Sequence, residues 1–146
     1  MRVDLKFKSW MMMLAMAGVL MACGGDDEDD STPEETDVCV VTGKTTITVT
    51  VPASTPEDAS IHIVGSFNEW NPADAAYKLN KRTDAVNAYC IAVDFAAGVE
   101  FKFARGSWET VEKDAECAEV ANRVFAVPAD NSLEIEIAKW VDTDEC

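Results

Sequence analysis

The chain of 146 residues contains one histidine, His62, and none of its five cysteines stands in a CxxC pair. A zinc site draws on several such ligands at close spacing, so no metal site is expected. The lone histidine also confines Ser–His or Cys–His chemistry to one position, with no nucleophile at a readable spacing from it. Positive charge is scarce, with 12 Lys and Arg against 27 Asp and Glu. That balance argues against nucleic acid and against electrostatic attachment to anionic lipid, while a neutral partner feels no such field. Long apolar runs are missing too: Trp10 to Ala22 is too short for a secure membrane-spanning helix. No cofactor is expected.

What is present begins with export. Arg2, Lys6 and Lys8 form a basic leader before that apolar run, as in a signal peptide over residues 1–22. The run ends in "LMAC", Leu20 to Cys23, which resembles a bacterial lipobox. The resemblance implies a mature chain starting at a lipidated Cys23, anchored at the outer membrane or cell surface without spanning a bilayer. An ordinary secretory signal with an incidental cysteine is the alternative. Without Arg2, Lys6, Lys8 and Asp4 the basic and acidic counts become 9 and 26, a net charge of −17. Residues 23–37 hold the lipid site and "GGDDEDDSTPEETD", Gly24 to Asp37, whose eight carboxylates and lack of large apolar residues predict a solvated tether. This run is similar to the acidic stretch after the lipid cysteine of some surface lipoproteins.

Residues 38–146 are one domain's worth of chain. Cys39, Cys90, Cys117 and Cys146 are an even number in an exported small domain, which predicts two disulfides. Three pairings are open; we favour Cys90 with Cys117 and Cys39 with Cys146. Short segments of period two follow one another, separated by turn residues. Thr45 to Val51 puts Ile47, Val49 and Val51 on one face, and Ser60 to Phe67 puts Ile61 and Ile63 inward with His62 on the strand surface. Ala88 to Phe95 and Val99 to Arg105 follow, with Ala96 to Gly98 as the turn between them. Arg123 to Val127 and Leu133 to Trp140 complete the series, and no segment reads as a helix. The fold class is therefore all-β, an immunoglobulin-like antiparallel β-sandwich of six to eight strands.

One stretch, "VGSFNEWNP", Val64 to Pro72, places a tryptophan among turn-forming polar residues just past a strand end. In "FKF", Phe101 and Phe103 point inward, so Lys102 points out, and Arg105 to Ser107 then turn the chain into Trp108. Asn122 precedes another strand. Exposed indole rings stack on the apolar faces of pyranose rings, and lysine and asparagine bond the hydroxyl rim. Trp70 alone reads equally well as a lid on the core, Trp140 reads as packing, and Arg123 as the partner of a nearby carboxylate.

Together "IHIVGSFNEWNP", "GVEFKFARGSW" and "NRVFAVP" resemble the starch-binding modules of carbohydrate-binding family 20 and the related glycogen-binding modules of the AMP-activated kinase β subunit, over about Thr45 to Trp140. The resemblance implies a sandwich that binds α-glucan (starch, maltooligosaccharide or glycogen) without cleaving it. Residue by residue it implies that Trp70 and Trp108 stack on sugar, that Lys102 bonds sugar hydroxyls and that Asn122 lines the site. Tyr77 and Tyr89 are the substitutes for tyrosines that form a second sugar site in the family. Partners implied are glycoside hydrolases or transport proteins that use the gathered polymer. The alternative is a structural or protein-interaction sandwich at the outer membrane without sugar affinity.

Overall fold

The structure, a computed structural model, describes residues 39–143 and Cys146. The expected signal peptide, the lipid site at Cys23 and the acidic tether lie outside the described residues. Among the described residues there are nine strands: β1 (Thr45–Thr50), β2 (His62–Gly65), β3 (Asn80–Lys81), β4 (Ala88–Val93), β5 (Glu100–Ala104), β6 (Glu112–Lys113), β7 (Arg123–Val124), β8 (Ser132–Glu136) and β9 (Lys139–Trp140). They form a four-stranded sheet in the order β3-β4-β1-β8, a three-stranded sheet β2-β5-β7 and a ribbon β6-β9.

Alternation builds the core. Ile47 and Val49 of β1 stand abreast of Ile91 and Tyr89 of β4, and these four are buried together with Ile61, Ile63, Phe101 and Phe103 from the other sheet. The Phe101 and Phe103 rings meet edge to face, 5.8 Å apart, an arrangement that suits their quadrupoles. Burying side chains of this size contributes roughly 1.5–3 kcal/mol each. The turn at Ala96–Gly98 forms as expected: Gly98 takes φ 91°, a left-handed conformation that costs glycine nothing.

Two strand expectations change. β1 and β8 pair in parallel, where the sequence pattern predicts an antiparallel arrangement. They lie far apart in the chain and no hairpin joins them, so nothing imposes the antiparallel sense. The expected single strand over Leu133–Trp140 splits into β8 and β9, which belong to different sheets. Leu133, Ile135 and Ile137 share one parity and Trp140 has the other, so one regular strand cannot turn all four inward. A break at Ala138 resolves the conflict, and Trp140 reaches the core with its Nε1 donating to Thr55 Oγ1 at 2.8 Å.

The disulfides are Cys39–Cys90 and Cys117–Cys146, with Cα separations of 5.8 and 5.4 Å. This corrects the pairing of Cys90 with Cys117 and Cys39 with Cys146. The reason is local. Cys90 lies on the outward face of β4 abreast of Thr48, and the chain before β1 folds over that face, where Thr46 Oγ1 donates to the Cys39 carbonyl at 2.9 Å. Cys117 follows β6, whose partner β9 leads the chain towards Cys146. Each bridge thus staples neighbouring elements. Peptide mapping of the unreduced protein should recover Cys39–Cys90 and Cys117–Cys146, and replacing Cys39 and Cys90 together by serine should cost about 2–4 kcal/mol of unfolding free energy. Recovery of a Cys90–Cys117 peptide would overturn the assignment.

Candidate functional site

The three-stranded sheet carries the four residues singled out by sequence. On β5, Phe101 and Phe103 are buried inward, while Glu100 and Lys102 have the opposite parity and face outward. On β2, Ile61 and Ile63 face the core, and His62 and Val64 face outward with Lys102, which stands abreast of Val64. Yet Val64 is 0% exposed and His62 only 7%. The expectation of His62 on the strand surface is therefore corrected: both outward side chains of β2 are buried. Gly106 lies against the His62 ring, and His62 Nδ1 lies 3.1 Å from the Ser60 carbonyl oxygen. Desolvation pushes the His62 pKa below the usual histidine range, partly offset by the Ser60 carbonyl.

The first loop is clasped by backbone and amide bonds. Asn68 is buried; its Oδ1 accepts the Gly65 N–H at 3.0 Å and its Nδ2 donates to the Asn71 carbonyl at 3.2 Å. The Trp70 N–H donates to the Gly65 carbonyl at 2.9 Å. Glu69 and Trp70 both adopt left-handed backbone, φ 55° and 60°, a conformation costing of order 1–3 kcal/mol per residue outside glycine. The clasp holds the chain in that conformation and so sets where the indole goes. Gly65 is required for close approach: a Cβ there would lie 2.1 Å from the Glu100 carbonyl oxygen.

The second loop is a self-bonded turn. Ser107 Oγ accepts the Glu109 N–H at 3.0 Å, Thr110 Oγ1 donates to the Ser107 carbonyl at 2.9 Å, and the Arg105 N–H donates to the Thr110 carbonyl at 3.2 Å. Arg105 pairs with Asp142 and lies over the Trp140 ring, which fastens the base of the turn to the end of the domain.

The two loops leave opposite ends of the β2–β5 pairing and converge. The Trp70 and Trp108 rings are 6.5 Å apart and inclined at 36°; Trp70 is half-buried and Trp108 is 46% exposed. Between β5 and β7, the register sets Glu100 opposite Val124 and Phe101 opposite Arg123, and Asn122 directly precedes β7. Asn122 Nδ2 donates to Glu100 Oε2 at 3.1 Å. The segment is anchored next door by Arg123, which pairs with the buried Glu112 as its sequence neighbourhood suggested, with Nη2 to Oε2 at 2.7 Å. Glu112 Oε1 also accepts the Phe103 N–H at 2.9 Å. Two inclined indoles can receive a ligand with an apolar face, and an outward ammonium and an amide can bond a hydroxyl rim.

Sequence reading missed Gly65, Asn68, Ser107, Glu100 and Glu112. Asn68 stands three residues after Gly65, a spacing that could have marked a local amide clasp. Ser107 stands two residues before Glu109, whose N–H it accepts, a spacing of the same local kind, whereas Glu100 and Glu112 hold no such signal because their partners lie across the sheet. Tyr89 is buried in the core at 4% exposure, and Tyr77 is half-buried with its ring 4.5 Å from that of Phe67. Tyr89 thus presents no open surface, which corrects its reading as a substitute in a second sugar site.

No family model matches the chain. It is 36% identical over 99 residues to an alpha-amylase of Niallia circulans, covering 66% of this chain and 8% of that protein. It is 35% identical over 108 residues to an amylopullulanase of Thermoanaerobacter thermohydrosulfuricus, covering 68% of this chain and 7% of the other. An amylopullulanase of Thermoanaerobacterium thermosulfurigenes is 35% identical over 77 residues, covering 51% and 4%. The chain thus spans less than a tenth of the length of the curated relatives it matches. Among solved structures, a glycoside hydrolase family 15 glucoamylase from Hypocrea jecorina aligns at 22% identity and TM-score 0.44, over 70% of this chain and 18% of that one. The glucoamylase of Hormoconis resinae aligns at 23% identity and TM-score 0.40, over 66% and 18%.

Two measurements check the site's construction. Asn68→Ala strands the buried Gly65 N–H and should lower unfolding free energy by about 1–3 kcal/mol. Because the folded chain disfavours protonated His62, the unfolded chain binds more protons as pH falls through about 6.5, and folded stability is lost there down to the depressed folded pKa. The stability difference between wild type and His62→Gln should therefore shift against wild type from about pH 7.5 to about pH 5.5. A difference independent of pH would contradict the burial of His62.

Proposed function

We propose that this protein is a non-catalytic α-glucan-binding module of the starch-binding type, recognising starch, maltooligosaccharide or glycogen. The observation that carries the proposal is the pair of inclined tryptophan rings, 6.5 Å and 36° apart. Rings set at an angle suit successive sugars of a curved α-linked chain, whose apolar faces turn relative to one another. Trp70 and Trp108 supply stacking, Lys102 donates to rim hydroxyls, and Asn122 supplies an amide. The relatives support the choice of polymer: one is named an alpha-amylase and two are named amylopullulanases, and this chain matches only a small share of each.

Two loop-borne rings, Trp70 half-buried and Trp108 46% exposed, fit retention of polymer. Glycoside hydrolysis needs two carboxyls held across a bound sugar; Glu100 and Glu112 are bonded instead to Asn122 and Arg123, and the small share of each enzyme that this chain matches supports an accessory binding role. With the expected lipid at Cys23 and the acidic tether, the domain would gather glucan at the outer membrane or cell surface for hydrolases or transport proteins. Affinity per site is weak, because stacking is offset by ordering of flexible sugars.

In amylose affinity electrophoresis the full chain in detergent should be retarded. Trp70→Ala and Trp108→Ala should each weaken retention about tenfold or more with unchanged far-UV circular dichroism. A wild-type protein that migrates freely through amylose would sink the proposal and favour a protein-interaction role.

A further inference from the structure

We propose that Glu100 is a positioning residue of the glucan site that acts through Asn122, fixing which end of the asparagine amide the sugar meets. This rests on the α-glucan reading above and extends it to a residue that sequence reading did not select. Glu100 and Lys102 share the outward face of β5, and Asn122 directly precedes β7, which pairs with β5. The Asn122 Nδ2 to Glu100 Oε2 distance is 3.1 Å.

The chemistry of the pair decides the orientation. A carboxylate only accepts hydrogen bonds, so only the NH₂ end of the amide can face Glu100. Oδ1 then points from the opposite edge of the amide, away from Glu100. A solvated primary amide flips between donor-out and acceptor-out states, and half of those encounters offer the wrong end. With Glu100 in place, Asn122 presents an acceptor while Lys102 presents a donor. A sugar hydroxyl is both, so neighbouring hydroxyls can donate to Asn122 Oδ1 and accept from Lys102 Nζ. Glu100 also belongs to the Trp70 side of the site. Its N–H lies 3.4 Å from Ser66 Oγ, and its carbonyl oxygen occupies the space a Gly65 Cβ would need. One residue therefore links the backbone beneath the first indole to the polar end of the site.

The test uses the full chain in detergent with maltoheptaose as the probe, reading affinity by calorimetry and the Asn122 side-chain amide by ¹H–¹⁵N NMR. Glu100→Ala should weaken binding about three- to tenfold and move the Asn122 NH₂ signals toward those of a solvated amide. Glu100→Gln, which can still accept through its amide oxygen, should restore affinity to within about twofold of wild type. In an Asn122→Ala background, Glu100→Ala should add nothing, as expected when one residue acts only through the other. The proposal is overturned if Glu100→Ala binds as wild type does, if the two alanine substitutions weaken binding independently, or if the Asn122 NH₂ signals do not respond. Should wild type itself not bind maltoheptaose, the glucan reading falls, and the NMR arm still reports separately whether Glu100 orients Asn122.

Discussion

The close approach of β2 and β5 at Gly65 is the constraint on which the candidate site depends. The Glu100 carbonyl oxygen lies where any side chain at 65 would begin, 2.1 Å from the place of a Cβ. Because that space is free, β2 stays paired with β5 to its last residue, and the chain can turn immediately. Asn68 then reaches back to the Gly65 N–H, and the Trp70 N–H reaches the Gly65 carbonyl. Both polar groups of one glycine thus hold the loop that aims an indole over the sheet.

The outer face of β2 shows a pattern of burial that alternation alone misreads. Period two places His62 and Val64 on the outer face, and the structure agrees about the face. It disagrees about solvent, since Val64 and His62 are buried there. A strand pattern reports which way a side chain points; only tertiary structure reports what lies above it. This is why Ile47, Val49, Ile61, Ile63, Phe101 and Phe103 were legible as core, while the state of His62 was not.

Other misreadings share a physical form. Cysteine spacing carries no information about which strand faces which, so the bridges Cys39–Cys90 and Cys117–Cys146 became visible only through the sheet order. The change of parity between Ile137 and Trp140 was written in the sequence as a break. It was masked by a run of β-forming residues that reads as one strand. Trp70, Trp108, Lys102 and Asn122 could be selected because their order and spacing together resemble the starch-binding modules, although alone Trp70 reads equally well as a core lid and Lys102 as an ordinary surface lysine. Glu100 and Glu112 could not, since a carboxylate in an acidic chain looks like any other until its partner across the sheet is known.

What these hidden partners do is immobilise. The Glu112–Arg123 pair fixes the segment carrying Asn122 and also takes up the Phe103 N–H. Arg105 against Trp140 fixes the turn carrying Trp108, and the Asn68 clasp fixes Trp70. A buried charge pair adds little net stability when compared with apolar packing, yet losing one member leaves the other stranded. Its value here is geometric. Stacking on a sugar is a shallow, weakly directional attraction, and a ring free to swing would lose much of it to ordering on binding. Two indoles held at a set inclination before ligand arrives lose less. In the proposed glucan role, then, selectivity for a curved chain over a flat one resides in the supports beneath the tryptophans as much as in the rings themselves.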